Sequence, residues 1–215
     1  MRKLYTYFRS SAAYRVRIAL NLKNLAYEAI PVHLVKDGGQ HLKEDYRRIN
    51  PAGAVPALAD RDLNLSQSLA IIEYLDEAYP YPPLLPADPA ARARVRAIAL
   101  DIACEIHPIN NLRVLKYLTG ELGASEEQKL AWYRHWVEVG LAAVEARVAG
   151  NPESWKFCHG GHPTLADCCL VPQVFNARRF GCRLDHVPTV VRIDAECRTL
   201  APFVAAAPEN QPDAE

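Results

Sequence analysis

The chain of 215 residues has no cysteine before Cys104. A cysteine nucleophile in the N-terminal region is therefore excluded. The six cysteines show neither C-x-x-C nor zinc-finger spacing, so they predict no metal site. We interpret them as free, small core residues of a protein from a reducing compartment. They are Cys104, Cys158, Cys168, Cys169, Cys182 and Cys197.

Net charge and long apolar runs are also lacking. Lysine and arginine number 25 and aspartate and glutamate number 25, so neither nucleic acid nor an anionic membrane is expected as a partner. No apolar run reaches the roughly 18 residues of a membrane-spanning helix. The opening residues MRKLYTYFRSS contain no signal-peptide core. These observations predict a cytoplasmic protein. Since 50% of the residues are apolar, the chain can form one large domain or two small ones.

The N-terminal third alternates between strand and helix patterns. A strand, a helix and a second strand in succession imply a parallel strand pair joined by a right-handed crossover. The predicted elements are a strand over 2–8, a helix over 11–23, a strand over 26–34, a turn and short strand over 50–58, a hairpin return over 60–65 and a helix over 66–79.

Five prolines between Pro80 and Pro89 predict a stiff connector and a domain boundary. We expect an α/β domain over 1–80, a linker over 81–88 and an all-helical domain over 89–215. The helical domain is predicted to contain a helix from about Val95 that Pro108 kinks near 105–107, and a helix over 128–148. A third helix is predicted to begin at Thr164, where Thr164 and Asp167 are spaced like a capping box, and to be kinked by Pro172. The polar segment 205–215 is expected to be frayed.

Two serines open the first predicted helix. Ser10 and Ser11 follow Arg9 and can cap the free N–H groups of that helix. A helix N-terminus also favours an anion, because its N–H groups point outward and its dipole adds partial positive charge. Two hydroxyls at this place could hold a thiolate. No cysteine lies nearby, so the thiolate would belong to a ligand.

Residues 10–20, SSAAYRVRIAL, resemble the S-S-C-x-W-R-V-R-I-A-L motif of zeta-class glutathione transferases. That class includes maleylacetoacetate isomerase and bacterial maleylpyruvate isomerases. The resemblance implies the glutathione transferase fold, with a thioredoxin-like α/β N-terminal domain and an all-α C-terminal domain. Ala12 replaces the cysteine of the family motif, so a thiol cannot be essential there, and Tyr14 replaces its tryptophan. Similar blocks follow in order at 32–40, 50–58, 67–75, 165–174, 177–180 and 211–213.

The resemblance implies a glutathione site in the first domain. Pro56 is expected to be a cis-proline, which presents the Val55 backbone to the extended peptide. Gln67 and Ser68 would hold the γ-glutamyl carboxylate at a helix N-terminus. His41 would reach the glycyl carboxylate. Ser10 is expected to be the main hydrogen-bond donor to the sulfur, supported by Ser11. The other implied glutathione contacts are Ala12, His107, Asn111, Leu112 and Arg113.

The resemblance also implies an acceptor site rich in arginine. Arg9, Arg113 and Arg179 would bind the carboxylates of a maleyl keto-dicarboxylic acid, and Arg9 would act in catalysis with the two serines. For Arg178 two interpretations remain open, a substrate contact in this site and an ordinary surface arginine. No metal is needed, because thiolate addition, bond rotation and elimination convert the cis acid to the trans acid.

The resemblance therefore implies a glutathione-dependent cis–trans isomerase of maleylacetoacetate, in aromatic amino-acid catabolism. The same chemistry on maleylpyruvate is the first alternative. A general glutathione transferase for apolar electrophiles is the second, and the arginines argue against it. A non-catalytic binding module would be expected to have lost the serine or the Gln-Ser pair. The resemblance further implies a homodimer.

Overall fold

A computed structural model describes the chain from Met1 to Glu215. Residues Met1–Leu84 and Thr199–Glu215 form one unit, and residues Leu85–Arg198 form a second. The helical unit therefore ends earlier than the predicted domain over 89–215, because residues Thr199–Glu215 belong to the first unit.

The first unit is built on a sheet of four strands. Its order is β2-β1-β3-β4, with β1 and β2 parallel and the two other neighbouring pairs antiparallel. The predicted parallel pair and hairpin are confirmed. The elements are β1 Arg2–Thr6, α1 Ser11–Leu22, β2 Tyr27–Pro31, α2 Glu44–Arg47, β3 Ala57–Asp60, β4 Leu63–Ser66 and α3 Ser68–Ala78.

The core of this unit involves the central strands and the helices that cover them. Leu4 on β1 lies opposite Leu58 on β3, and both are fully buried. Helices α1 and α3 contact each other, and Leu20 and Leu75 on them are also fully buried. Burial of each such side chain stabilises the fold by about 1.5–3 kcal/mol.

The segment Thr199–Glu215 is ordered, so the expected fraying of 205–215 is wrong. Helix α9, Ala201–Ala206, packs against α1 and buries Phe203. A short 3₁₀ turn, Pro208–Asn210, follows. Two amide side chains of this segment, those of Asn210 and Gln211, donate to backbone carbonyls. Gln211, for example, donates from Nε2 to the carbonyls of Ala205 and Ala207, each at 2.9 Å.

The second unit is all-helical, as predicted. None of the helices in the chain combines the length and the apolar character that a membrane span requires. The α-helices of the unit are α4 Pro89–Leu100, α5 Leu112–Gly120, α6 Glu126–Val148, α7 Leu165–Arg179 and α8 Pro188–Cys197. The predicted capping box of α7 is present, since Asp167 Oδ2 accepts the Thr164 N–H at 2.7 Å.

The cysteines of this unit are free. Four of them, Cys158, Cys168, Cys169 and Cys197, are buried, which confirms the core interpretation for them. Burial raises the pKa of the half-buried Cys182 to about 11, so its thiol stays protonated at neutral pH. Cys104 is exposed, so that interpretation was wrong for it.

The kink predicted near Pro108 takes the form of a wider helical segment. Residues Asp101–Ile106 form a π-helix that continues α4, and Pro108–Asn110 form a 3₁₀ turn. Proline has no N–H to donate, and its ring would collide with the carbonyl four residues earlier in a regular α-helix. Helix α6 approaches the π-segment closely at Gly140, where an added Cβ would lie 2.3 Å from Ile106 Cγ1.

Replacing Gly140 with alanine tests this close approach. Ile106 is buried, so we expect Gly140→Ala to lower the free energy of unfolding by about 1–3 kcal/mol through overpacking. Gly120→Ala is the matched control, because a Cβ there meets nothing within 4 Å. Urea denaturation of both variants measures the difference. Equal stability of the two variants would contradict the predicted clash.

Candidate active site

The pairing of the strands brings four chain segments to one end of the sheet. The last residue of β1, Thr6, lies beside Pro31 at the end of β2. Tyr5 lies opposite Ala57, where β3 begins, and Ala57 lies opposite Ser66, where β4 ends. The segments beyond these residues therefore leave the sheet at the same end. They contain Ser10, His41, Val55 and Ser68.

Ser10 is the N-cap of α1, as predicted. Its Oγ accepts the Ala13 N–H at 3.2 Å, and its half-buried hydroxyl keeps a proton that it can donate. Ser11 is the first residue of the helix and is buried, while Ala12 is half-buried. Arg9 is exposed, with its guanidinium carbon 4.7 Å from the centroid of the Phe8 ring. Hydroxyls at a helix N-terminus make this place suitable for an anion.

The start of α3 provides a second place for an anion. Ser68 is the first residue of α3, and Gln67 precedes it with a φ of 69°. Such a positive φ is uncommon outside glycine and is found preferentially at functional sites. Arg15 Nη1 donates to Ser68 Oγ at 3.2 Å, and only 2% of Arg15 is exposed. A buried guanidinium, a hydroxyl and a helix N-terminus are together suited to a carboxylate.

Arg15 was not among the predicted site residues. It lies four residues after Ser11, on the face of α1 that continues from the helix start. That spacing, and an arginine inside an otherwise apolar helical run, were the available signals.

The turn before β3 has the predicted cis peptide between Val55 and Pro56. The carbonyl of Ala54, which precedes Val55, accepts two hydrogen bonds from side chains. Tyr46 Oη donates to Ala54 O at 2.7 Å, and Asn50 Nδ2 donates to the same oxygen at 2.6 Å. The Val55 backbone is therefore held in one orientation at the sheet end.

His41 is half-buried and lies against Gly39. Gly39 has a φ of 103°, and an added Cβ would lie 2.6 Å from His41 Cε1. The loop around them is closed by Gln40, whose Oε1 accepts the His33 N–H at 2.9 Å and whose own N–H donates to His33 O at 2.8 Å. Glycine at position 39 thus allows the histidine ring to occupy its place.

Two predicted residues of the second unit, His107 and Arg113, contact Asn111, which is the N-cap of α5. Its Oδ1 accepts the Arg113 N–H at 3.3 Å, and its Nδ2 lies 3.5 Å from His107 Nε2. Leu112 is half-buried and the Arg113 side chain is exposed.

The neighbours Arg178 and Arg179 differ in their contacts. Arg178 forms an ion pair with Asp194. Only 1% of the Asp194 side chain is exposed. Burial raises the pKa of Asp194, and Arg178 opposes that shift. Arg179 is exposed, with its guanidinium carbon 5.1 Å from the centroid of the Phe180 ring. The question left open for Arg178 is therefore answered by a structural ion pair.

Residues 4–83 match the family model of the glutathione S-transferase N-terminal domain. A protein named probable maleylacetoacetate isomerase from Vibrio cholerae is 53% identical over 211 residues, which cover 98% of this chain and 97% of that protein. Maleylpyruvate isomerase from a Ralstonia species is 49% identical over 211 residues, with 98% and 99% covered.

Solved structures agree with these relatives. The holo structure of a maleyl pyruvate isomerase, described as a bacterial glutathione transferase of the zeta class, has a TM-score of 0.96 at 48% identity. The match covers 99% of this chain and 100% of that chain. The fold and the site thus define a two-part protein with a thioredoxin-like unit and a helical unit. The chain belongs to the zeta class of the glutathione transferase family.

Substitutions of Ser10 can separate its capping role from any other role. Ser10→Ala removes the acceptor for the Ala13 N–H and is expected to lower the free energy of unfolding by about 1 kcal/mol. Ser10→Gly is expected to cost only a few tenths of a kcal/mol, roughly, because glycine is tolerated at an N-cap. Urea denaturation of both variants measures this difference. A glycine variant less stable than the alanine variant would contradict the capping geometry.

Proposed function

We propose that this protein is a glutathione-dependent cis–trans isomerase of a maleyl keto-dicarboxylic acid, with maleylacetoacetate as the first candidate substrate. The observation that carries the proposal is the convergence of the Ser10, Val55 and Ser68 segments at one end of the sheet. The names of the relatives support the reaction. A maleylacetoacetate isomerase from Anaeromyxobacter dehalogenans, 42% identical and with a TM-score of 0.87, was solved with dicarboxyethyl glutathione bound.

The residues at the sheet end fit glutathione. Ser68 and the buried Arg15 suit its γ-glutamyl carboxylate, because a buried cation can pair with that charge. The Val55 backbone can pair with the extended peptide like an added strand. His41 is proposed to reach the glycyl carboxylate, and Ser10 the sulfur. The further proposed contacts are Ser11, Ala12, Pro56, Gln67, His107, Asn111, Leu112 and Arg113.

Ser10 would act on the sulfur through its free hydroxyl proton. A thiol with an ordinary pKa of about 8.5 is mostly protonated at neutral pH. A hydrogen bond from Ser10 and the N-terminus of α1 both favour the charged form and lower that pKa. When bound, glutathione supplies a thiolate that adds reversibly to the double bond of the acid and so allows rotation about that bond. Ala12 contributes no thiol, so this chain relies on hydroxyls and arginines.

The arginines are proposed to bind the carboxylates of the acid. Arg9 directly precedes Ser10 in the chain, and its side chain is exposed and able to turn toward a ligand. Arg113 and Arg179 in the second unit are also exposed. Guanidinium groups keep their charge at every physiological pH and bind carboxylates through two hydrogen bonds.

Maleylpyruvate is the second candidate substrate. The Ralstonia relative favours it, since its identity to this chain is close to that of the Vibrio relative. We further propose a homodimer that acts in the cytoplasm, on the family resemblance. A general transferase for uncharged electrophiles would leave the arginines without a role.

Assays of maleylacetoacetate and maleylpyruvate, each with and without glutathione, test the proposal. We expect isomerisation only with glutathione. Ser68→Ala should weaken glutathione binding by about 1.5–3 kcal/mol, because a hydrogen bond to a charged group is lost. Ser66→Ala, at the end of β4, is the control and should bind as the parent protein does. Isomerisation without glutathione, or unchanged calorimetric affinity of Ser68→Ala, would contradict the proposal.

Removal of one arginine separates the isomerase from a general transferase. Arg9→Ala and Arg179→Ala should each lower kcat/KM for the maleyl acid, because one carboxylate of the acid enters the site without its partner. The loss should correspond to roughly a few kcal/mol of activation free energy. Activity on an uncharged aryl halide should change little. Arg48→Ala is the control, because it removes an exposed arginine directly after α2. It should change neither reaction. Equal losses on both kinds of acceptor would favour the general transferase.

A further inference from the structure

The Gln211-Pro212-Asp213 block has no role in the function described so far. Its carboxylate lies at the turn that leads to Ser10, where Asp213 Oδ2 accepts the Phe8 N–H at 3.0 Å. We infer that Asp213 is a positioning residue, which holds the turn over 7–10 so that the Ser10 hydroxyl is aimed at the glutathione sulfur. The inference rests on the proposed function and concerns the ordering of a loop 205 residues away in sequence.

The same turn is held on its other side by Arg17. This side chain is fully buried, and its Nη2 donates to Phe8 O at 3.0 Å. Its Nη1 also donates to Thr6 Oγ1 at 3.1 Å. The Phe8 residue is therefore bound at its N–H by Asp213 and at its carbonyl by Arg17. Two residues on, the Ser10 N–H closes the turn by donating to Tyr7 O at 2.9 Å.

Arg17 and Asp213 also support each other. Burial lowers the pKa of Arg17 to about 10, and the negative charge of Asp213 is among the groups that oppose this shift. Arg17 Nε donates to Ala206 O at 2.9 Å, which attaches the end of α9 to the same guanidinium. The carboxylate and the guanidinium thus hold the same turn through the two polar groups of Phe8.

Gln211 explains how Asp213 is directed to this place. Its amide donates to the Ala205 and Ala207 carbonyls, which fixes the chain where α9 ends. Asn210 Nδ2 donates to Val204 O at 2.7 Å in the same region. Each of these bonds satisfies a carbonyl at the helix end, and together they define the path of the chain to Asp213.

Accurate placement of a reacting group is worth a large factor in rate, since a misplacement of 1 Å can cost about a hundredfold. Asp213 touches Phe8 and not the reacting atoms, so its loss should affect turnover more than glutathione affinity. The loss should also be visible without glutathione, because the Phe8 N–H is then exposed to exchange with solvent.

The experiment compares Asp213→Ala and Asp213→Asn with Glu209→Ala, an exposed residue of the same segment. Hydrogen exchange of the peptide covering 7–13 is followed in the ligand-free full chain. Turnover and calorimetric glutathione affinity are measured separately. We expect Asp213→Ala to exchange faster at Phe8 and to lose about tenfold in kcat, with the glutathione Kd within about twofold of the parent value.

Asp213→Asn keeps an acceptor oxygen and should recover most of the protection at Phe8, which distinguishes positioning from general destabilisation. Glu209→Ala should match the parent protein in hydrogen exchange, turnover and glutathione affinity. Exchange at Phe8 and a kcat for Asp213→Ala equal to those of Glu209→Ala would overturn the inference. A parent protein that does not isomerise would instead refute the proposed function, and the exchange measurement would still decide the placement of the turn.

Discussion

The central position of β1 in the sheet is the constraint on which the candidate site depends. Its parallel register with β2 and its antiparallel register with β3 align three strand ends, and the β3–β4 pairing adds a fourth. A shift of β1 by one residue against its neighbours would turn the buried Leu4 toward the opposite face of the sheet. The hydrophobic core therefore fixes the register, and the register in turn assembles the loops that carry polar chemistry.

Two buried arginines on α1 connect that framework to the site. Arg15 reaches the start of α3 through Ser68, and Arg17 reaches the turn before α1 and the end of α9. Burying a guanidinium is costly unless its donors find acceptors, and Arg17 finds four oxygen atoms. The helix that begins with the two serines is thus tied to its neighbours along its buried side. This arrangement restricts the movement of the helix start, where Ser10 lies.

Local patterns predicted most elements of the fold, and long-range contacts explain the rest. The strand pattern over 2–8 indicated β1, the Ser10 cap indicated α1, and the Thr164 capping box indicated α7. The cis peptide at Pro56 came from the family resemblance. Apolar spacing did not reveal the π-segment over 101–106, since its buried residues Ile102 and Ile106 are four residues apart, as they would be on one face of an α-helix. The order of 205–215 escaped prediction because Ala206 and Asp213 contact Arg17 and Phe8, which are remote in sequence. The polar composition alone suggested fraying.

The central claim is that the N-terminus of α1 and the Ser10 hydroxyl stabilise the charged sulfur of glutathione. A pH titration that follows the thiolate absorbance of bound glutathione tests this claim most directly. We expect the parent protein to lower the thiol pKa clearly below its free value of about 8.5. Ser10→Ala and Ser10→Gly should both move it back toward that value, although their stabilities differ. A bound thiol that titrates like free glutathione, or one that is unaffected by loss of the hydroxyl, would contradict the claim.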